Sequence, residues 1–225
     1  TRSALGRGPT TSSASQDASE SATGAEIARA TSFFTRKTVH DRVGAMAFPT
    51  PEQLEDIVAP IARNHDLDVE QIRAVRAGKK SQVVIALDGD EHPTLDELEV
   101  LSNELSELFD AHESAGDLNF GTGYTLEVTT PGVDMPLTAP RHWRRNRGRA
   151  VALLDADGKK ETWRIGALND AEDRVVLIER GAKQPRVETR LVSEMPKAVV
   201  EIEFKAPPAA EQELVDAAYE EAGDE

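Results

Sequence analysis

The sequence predicts an α+β domain followed by a small all-β barrel, and three observations carry that prediction. Two helices with complete capping signals bracket an alternating hairpin in the first half, five short strands crowd into residues 149–206, and the charge changes sign between the halves. The 225 residues carry a formal net charge of −15, but residues 49–140 hold 5 Lys/Arg against 19 Asp/Glu, residues 141–206 hold 15 against 11, and residues 207–225 hold 0 against 7. An acidic half joined to a mildly basic half points to two domains with different electrostatic roles.

The first helix starts at Thr50-Pro51-Glu52-Gln53, where a capping threonine, a proline at the first helical position and a glutamine three residues on satisfy otherwise orphaned amides. Leu54, Ile57, Val58 and Ile61 give it one apolar face, and Pro60, which lacks an N–H, should kink or shorten it. Asp68–Ala77 and Ser81–Asp88 flank Gly78-Lys79-Lys80 as a hairpin. Thr94-Leu95-Asp96-Glu97 opens a second helix with Leu98, Leu101, Leu105 and Leu108 as its stripe, and Tyr124–Thr129 is a third strand. The order α-β-β-α-β makes a two-layer sandwich, because each amphipathic element must bury its face against another.

Beyond Arg149, strands are expected at Ala150–Leu154, Glu161–Ala167, Arg174–Glu179, Arg186–Leu191 and Ala198–Phe204, separated by turn-forming runs. Closure removes exposed edges, so an SH3-like or Sm-like barrel is the expected form. Residues 1–24 offer too little apolar surface to offset the entropy of ordering them, and 25–48 have no sustained period. Position 1 is not Met and Met46 lies just before the first helix, which favours a leader over a docking peptide. The chain therefore divides into a disordered extension (1–48), an acidic α+β domain (49–135), a linker with an Arg-rich segment (136–148), a barrel (149–206) and an acidic disordered tail (207–225).

The absence of cysteine removes disulfides, thiolate chemistry and Cys-based zinc sites, and is compatible with the cytoplasm. No apolar run approaches the roughly 18 residues of a membrane span, and no signal-peptide core is present, so a soluble protein that is not exported is expected. The histidines lack metal-ligand spacing, "LDGDEHP" lacks the length and closing glutamate of a calcium loop, and neither a phosphate loop nor a nucleophile elbow occurs. No cofactor, metal or small-molecule substrate is expected, and a binding protein is favoured over an enzyme.

Two stretches carry the candidate site. In "LEVTTPGVDMPL", Pro131 ends strand pairing, Gly132 is expected to adopt a backbone angle closed to other residues, Asp134 can accept hydrogen bonds, and Pro136 stiffens the path to Leu137. In "RHWRRNRGR", Arg141, Arg144, Arg145, Arg147 and Arg149 surround Trp143. Arginine forks suit phosphate and tryptophan stacks on bases, so RNA contact has a mechanism; equally, the arginines can pair with the acidic domain while Trp143 plugs the junction.

Residues 124–151, "YTLEVTTPGVDMPLTAPRHWRRNRGRAV", resemble the signature of the RimP family of ribosome maturation factors. Leu126, Glu127, Val128, Pro131, Gly132, Asp134, Pro136, Leu137, Trp143 and Gly148 match; Thr129-Thr130, Val133 and Met135 depart, the last removing a cation the family usually carries. The resemblance spans about Thr50 to Phe204 and includes the domain order. It implies a non-enzymatic, monomeric factor that binds the free small ribosomal subunit, contacting rRNA and basic ribosomal proteins such as S-twelve. The alternative is an Sm-like RNA-binding regulator, whose ring would require a multimer.

Overall fold

The computed structural model describes residues 31–36, 47–77 and 80–222. Its N-terminal unit comprises β1 (Thr31–Arg36), α1 (Pro51–Asn64), β2 (Asp68–Ala77), β3 (Lys80–Asp88), α2 (Leu95–Ala115) and β4 (Tyr124–Thr129). The C-terminal unit follows as α3 (Pro140–Arg145), β5 (Ala150–Leu154), β6 (Lys160–Leu168), β7 (Arg174–Glu179), β8 (Val187–Leu191), β9 (Lys197–Val200), α4 (Ala209–Asp216) and α5 (Tyr219–Ala222). The protein is thus built of helices and two sheets, ordered β1-β4-β3-β2 and β8-β7-β6-β5-β9.

Both capping boxes form: Thr50 and Thr94 accept from the amides of Gln53 and Glu97, whose side chains accept in return from the capping residues. Helix α1 runs through Pro60 to Asn64, so the proline does not end it; Pro60 is exposed. Leu54, Val58 and Ala62 of α1 and Leu98, Leu101, Leu105 and Phe109 of α2 are buried against Val83, Ile85 and Leu87 of β3 and Leu126 and Val128 of β4. The pair β3–β4 is parallel, with α2 as its crossover, whereas β2–β3 and β1–β4 are antiparallel.

Strand β2 carries the feature that matters most for the junction. Val69 pairs with Leu87 but Gln71 with Ala86, so Glu70 is the extra residue of a bulge. The bulge explains an irregular sequence pattern: Val69, Ile72 and Ala74 pack on the core although they break strict alternation. It also frees the Glu70 side chain to be aimed away from the ladder.

The C-terminal sheet differs from expectation in two ways. Among the described residues no ladder joins β8 to β9, so the strands do not close into a barrel. Arg186 and Arg190 lie over the Trp163 ring of β6, 5.3 and 5.0 Å from its centre. Strand β9 also ends at Val200, short of Phe204, because Glu203 turns toward Arg164 and leaves Ile202 and Phe204 exposed.

Two segments expected to be disordered hold structure. Of residues 1–48, Thr31–Arg36 pairs with β4 as an edge strand; the expectation for 1–30 and 37–46 falls outside the described residues. In the tail, α4 packs on the sheet because Val215 and Leu214 meet Val176 and Ile178, while Arg164 neutralises the buried Glu211. Composition was a poor guide there, since one buried ion pair removes the penalty that a Glu would otherwise bring.

Gly132 does not adopt a left-handed backbone, which corrects the expected reason for that glycine. A Cβ there would sit 2.5 Å from Asp134 Oδ1, the end of an exposed and movable side chain, whereas a Cβ on Gly166 would meet Val176 Cβ at 3.0 Å and its carbonyl oxygen at 3.2 Å. Gly166→Ala should therefore cost on the order of 1–3 kcal/mol through overpacking, and Gly132→Ala no more than about 0.5 kcal/mol. Urea unfolding of the two variants checks this ranking, and an equal loss for both would contradict it.

Candidate functional site at the junction of the two sheets

Helix α3 has two faces because its residues are spaced by about 100° of rotation. Arg141, His142 and Arg145 turn toward the N-terminal unit, and Trp143 points the opposite way into the C-terminal core beside Val151, Leu153, Ile165 and Leu177. Trp143 is fully buried, and its Nε1 finds no hydrogen-bond partner among the described residues. Its role is packing within one unit; it does not plug the interface between the two.

Glu70 receives four donors from this short helix. Arg141 Nε and one terminal nitrogen donate at 2.9 and 3.1 Å, Arg145 donates at 2.8 Å, and His142 Nε2 lies 2.6 Å away. The amides of Thr138 and Ala139 donate to His142 Nδ1 at 3.0 and 3.1 Å, which leaves the ring proton on Nε2 to face Glu70. The Glu70 side chain is only 2% exposed and that of Arg145 only 5%. Burial alone would push the Glu70 carboxyl up, but the hydrogen bonds from His142 and Arg141 and the Arg141 charge outweigh it and hold the pKa at about 2.

The network extends outward. Arg145 also reaches Asp68 and donates to Asp90 at 3.0 Å. Arg144 donates to Asp90 at 2.8 Å and pairs with Glu172 in the turn between β6 and β7, so one guanidinium touches both units. Hydrogen bonds from Arg144 and Arg145 hold the Asp90 carboxyl below its usual range.

The other expected residues line the approach. Pro131 and Gly132 follow β4, and Asp134 is exposed. Pro136 bridges to Val199 of β9, and the Leu137 amide donates to Ala198 at 2.9 Å, so these two already belong to the C-terminal sheet rather than to a free linker. Arg147 faces away from the junction and donates to the carbonyls of Val215 and Ala217 at the end of α4. The sequence reading missed Asp68, Glu70, Asp90, His142 and Glu172. The available signal was the broken alternation around Glu70; among 19 acids in residues 49–140, composition alone could not select Asp68, Glu70 and Asp90.

Among the described residues, no group of three His, Cys, Asp or Glu side chains is placed to hold a metal ion, and no helix is long and apolar enough to cross a membrane. An α/β unit and a β unit tied by a charged, partly buried junction define a two-part protein whose units are held together by ion pairs. The RimP N-terminal domain model matches residues 57–134. The ribosome maturation factor RimP of Corynebacterium aurimucosum is 55% identical over 170 residues, covering 75% of this chain and 90% of that protein. Those of Corynebacterium diphtheriae, 53% identical over 175 residues (78% and 94%), and Corynebacterium kroppenstedtii, 43% over 189 (79% and 100%), are also similar. The chain belongs to the RimP family of ribosome maturation factors.

Glu70→Gln keeps the side-chain size and removes the charge, leaving the buried Arg145 and the half-buried Arg141 short of a partner, so it should destabilise the folded chain by about 3 kcal/mol at neutral pH. The folded pKa of about 2 lies below the ordinary 4.5, so the contribution of Glu70 is fully present above 4.5 and is lost as pH falls from there toward 2. Urea titrations of parent and variant across that range should show the gap closing on acidification; a gap constant with pH would remove Glu70 as its source.

Proposed function

We propose that this protein, acting in ribosome maturation as its family membership gives, binds the free small ribosomal subunit during assembly and helps rRNA and ribosomal proteins reach their mature arrangement without catalysing a covalent step. The observation that carries this reading is the Glu70-centred junction, which fixes an acidic unit and a more basic unit in one relation. In this reading residues 49–135 form a two-layer sandwich domain, 136–148 the hinge, and 149–206 an SH3-like barrel left open between β8 and β9, with α4 as part of that domain. Asp96, Glu99 and Glu107 stay exposed on α2 and give a basic ribosomal protein, S-twelve among the candidates, a complementary surface that speeds encounter. The partner contacts of the Pro131–Leu137 stretch are then indirect, through the pose, while Arg144, with its side chain 43% exposed, is the junction arginine best placed to meet RNA. The protein acts as a cytoplasmic monomer in this account.

Cosedimentation with separated subunits tests it. The full chain should pellet with free small subunits and not with large ones, and Glu70→Gln should weaken that binding by about tenfold, because a loosened pair must be ordered again on docking. Equal binding to both subunits, or to neither, would overturn the proposal.

A further inference from the structure

The outer face of the C-terminal sheet holds a second charged arrangement that the junction does not use. Glu211 of α4 is 1% exposed. One of its oxygens accepts from Arg164 Nε at 2.7 Å and the other from the Gly181 amide at 2.8 Å. Arg164 is also buried; its remaining nitrogens donate to Glu203 at 2.8 and 2.9 Å and to the Gly148 carbonyl at 2.8 Å. Arg180 donates to Glu201 at 3.1 Å and to Glu203 at 2.8 Å, and Arg147 donates to the Val215 carbonyl at 2.9 Å. Arg164, Arg180 and the Gly181 amide thus meet the acids of the segment after β9, Arg147 meets its carbonyls, and only the Gly148 carbonyl among these acceptors comes from elsewhere.

That segment is held more by charge than by apolar burial. Helix α4 has 8 residues, too short to persist alone, and its apolar anchorage is one small cluster in which Val215 meets Val176 and Ile178, with Leu214, Ala217, Tyr219 and Val187 around it. The tether before it is irregular and largely exposed, with Phe204 92% exposed, and two prolines precede the helix. Elements with few apolar contacts open at low free-energy cost. Glu203 sits on the tether and leaves together with Glu211, whereas Glu201 stays with the sheet through its amide, which donates to the Ala150 carbonyl at 2.8 Å.

We propose that Arg164, the Gly181 amide and the neighbouring Arg147 and Arg180 form an anion socket for phosphates of an RNA backbone, and that Glu211 on α4 occupies it as an internal competitor. Carboxylate and phosphate oxygens accept from a guanidinium fork in the same way. The acidic C-terminal segment therefore gates RNA contact on this face: RNA must displace α4 to bind. The choice of RNA rests on the proposed function, but naked RNA is the probe here, so failure at this face leaves the subunit result untouched.

The test uses the full chain, a short labelled single-stranded RNA and fluorescence anisotropy. Glu211→Gln should bind about tenfold tighter than the parent. Its salt dependence should steepen by about 0.7 in log–log slope for each phosphate engaged. Glu213→Gln, on the exposed side of the same helix, makes the same change in net charge and should bind like the parent. Adding Arg164→Gln to Glu211→Gln should abolish the gain. No gain for Glu211→Gln, an equal gain for Glu213→Gln, or a gain that survives loss of Arg164 would each overturn the proposal. Should Glu211→Gln fail to fold, hydrogen exchange on the parent decides: saturating RNA should speed exchange of the amides in 209–216, and unchanged protection with RNA bound would refute displacement. Inorganic phosphate at the same phosphate concentration should leave that protection intact; equal opening by it would make free phosphate the ligand and end the RNA assignment.

Discussion

The buried carboxylate of Glu70 is the constraint from which the arrangement of this molecule follows. A charge withdrawn from water is tolerated only when its oxygens are fully met, and here every partner comes from one six-residue helix. That requirement fixes where α3 lies. Since Trp143 projects from the opposite side of α3, the same requirement fixes where the C-terminal core begins. Fork-shaped guanidinium contacts suit this task better than apolar ones, because they lose most of their energy on a small rotation while apolar surfaces slide.

Much of the local structure was legible. The capping boxes at Thr50 and Thr94, the leucine stripe of α2 and the β2–β3 hairpin are short-range features, set by residues three or four apart or by alternation. What was not legible depended on pairings between residues distant in sequence. Glu70 and Arg145 are far apart in the chain, as are Arg164 and Glu211, and neither pair leaves a periodic trace. The tail shows the difficulty most plainly: its acidity suggested a solvated segment, yet one acid is buried against an arginine from β6. The openness of the second sheet belongs to the same class, since strand spacing does not report whether the first and last strands meet.

Charge reads differently once position is known. From sequence the arginines around Trp143 suited RNA contact and pairing with the acidic domain equally; Arg141 and Arg145 face carboxylates of β2, and Arg147 faces carbonyls of α4. Arg144 remains partly open to solvent. Net charge thus describes long-range attraction or repulsion of the whole molecule, while the groups that shape its architecture are those whose charges are already cancelled.

The pairing of Pro136 and Leu137 with β9 also bears on how the chain is made. Synthesis proceeds from the N-terminus, so Asp68, Glu70 and Asp90 emerge and fold within their sheet well before β9 exists. When α3 emerges, its arginines find these acids waiting, while Trp143 has as yet no core to enter. The hinge is therefore seated from one side first and closed from the other last.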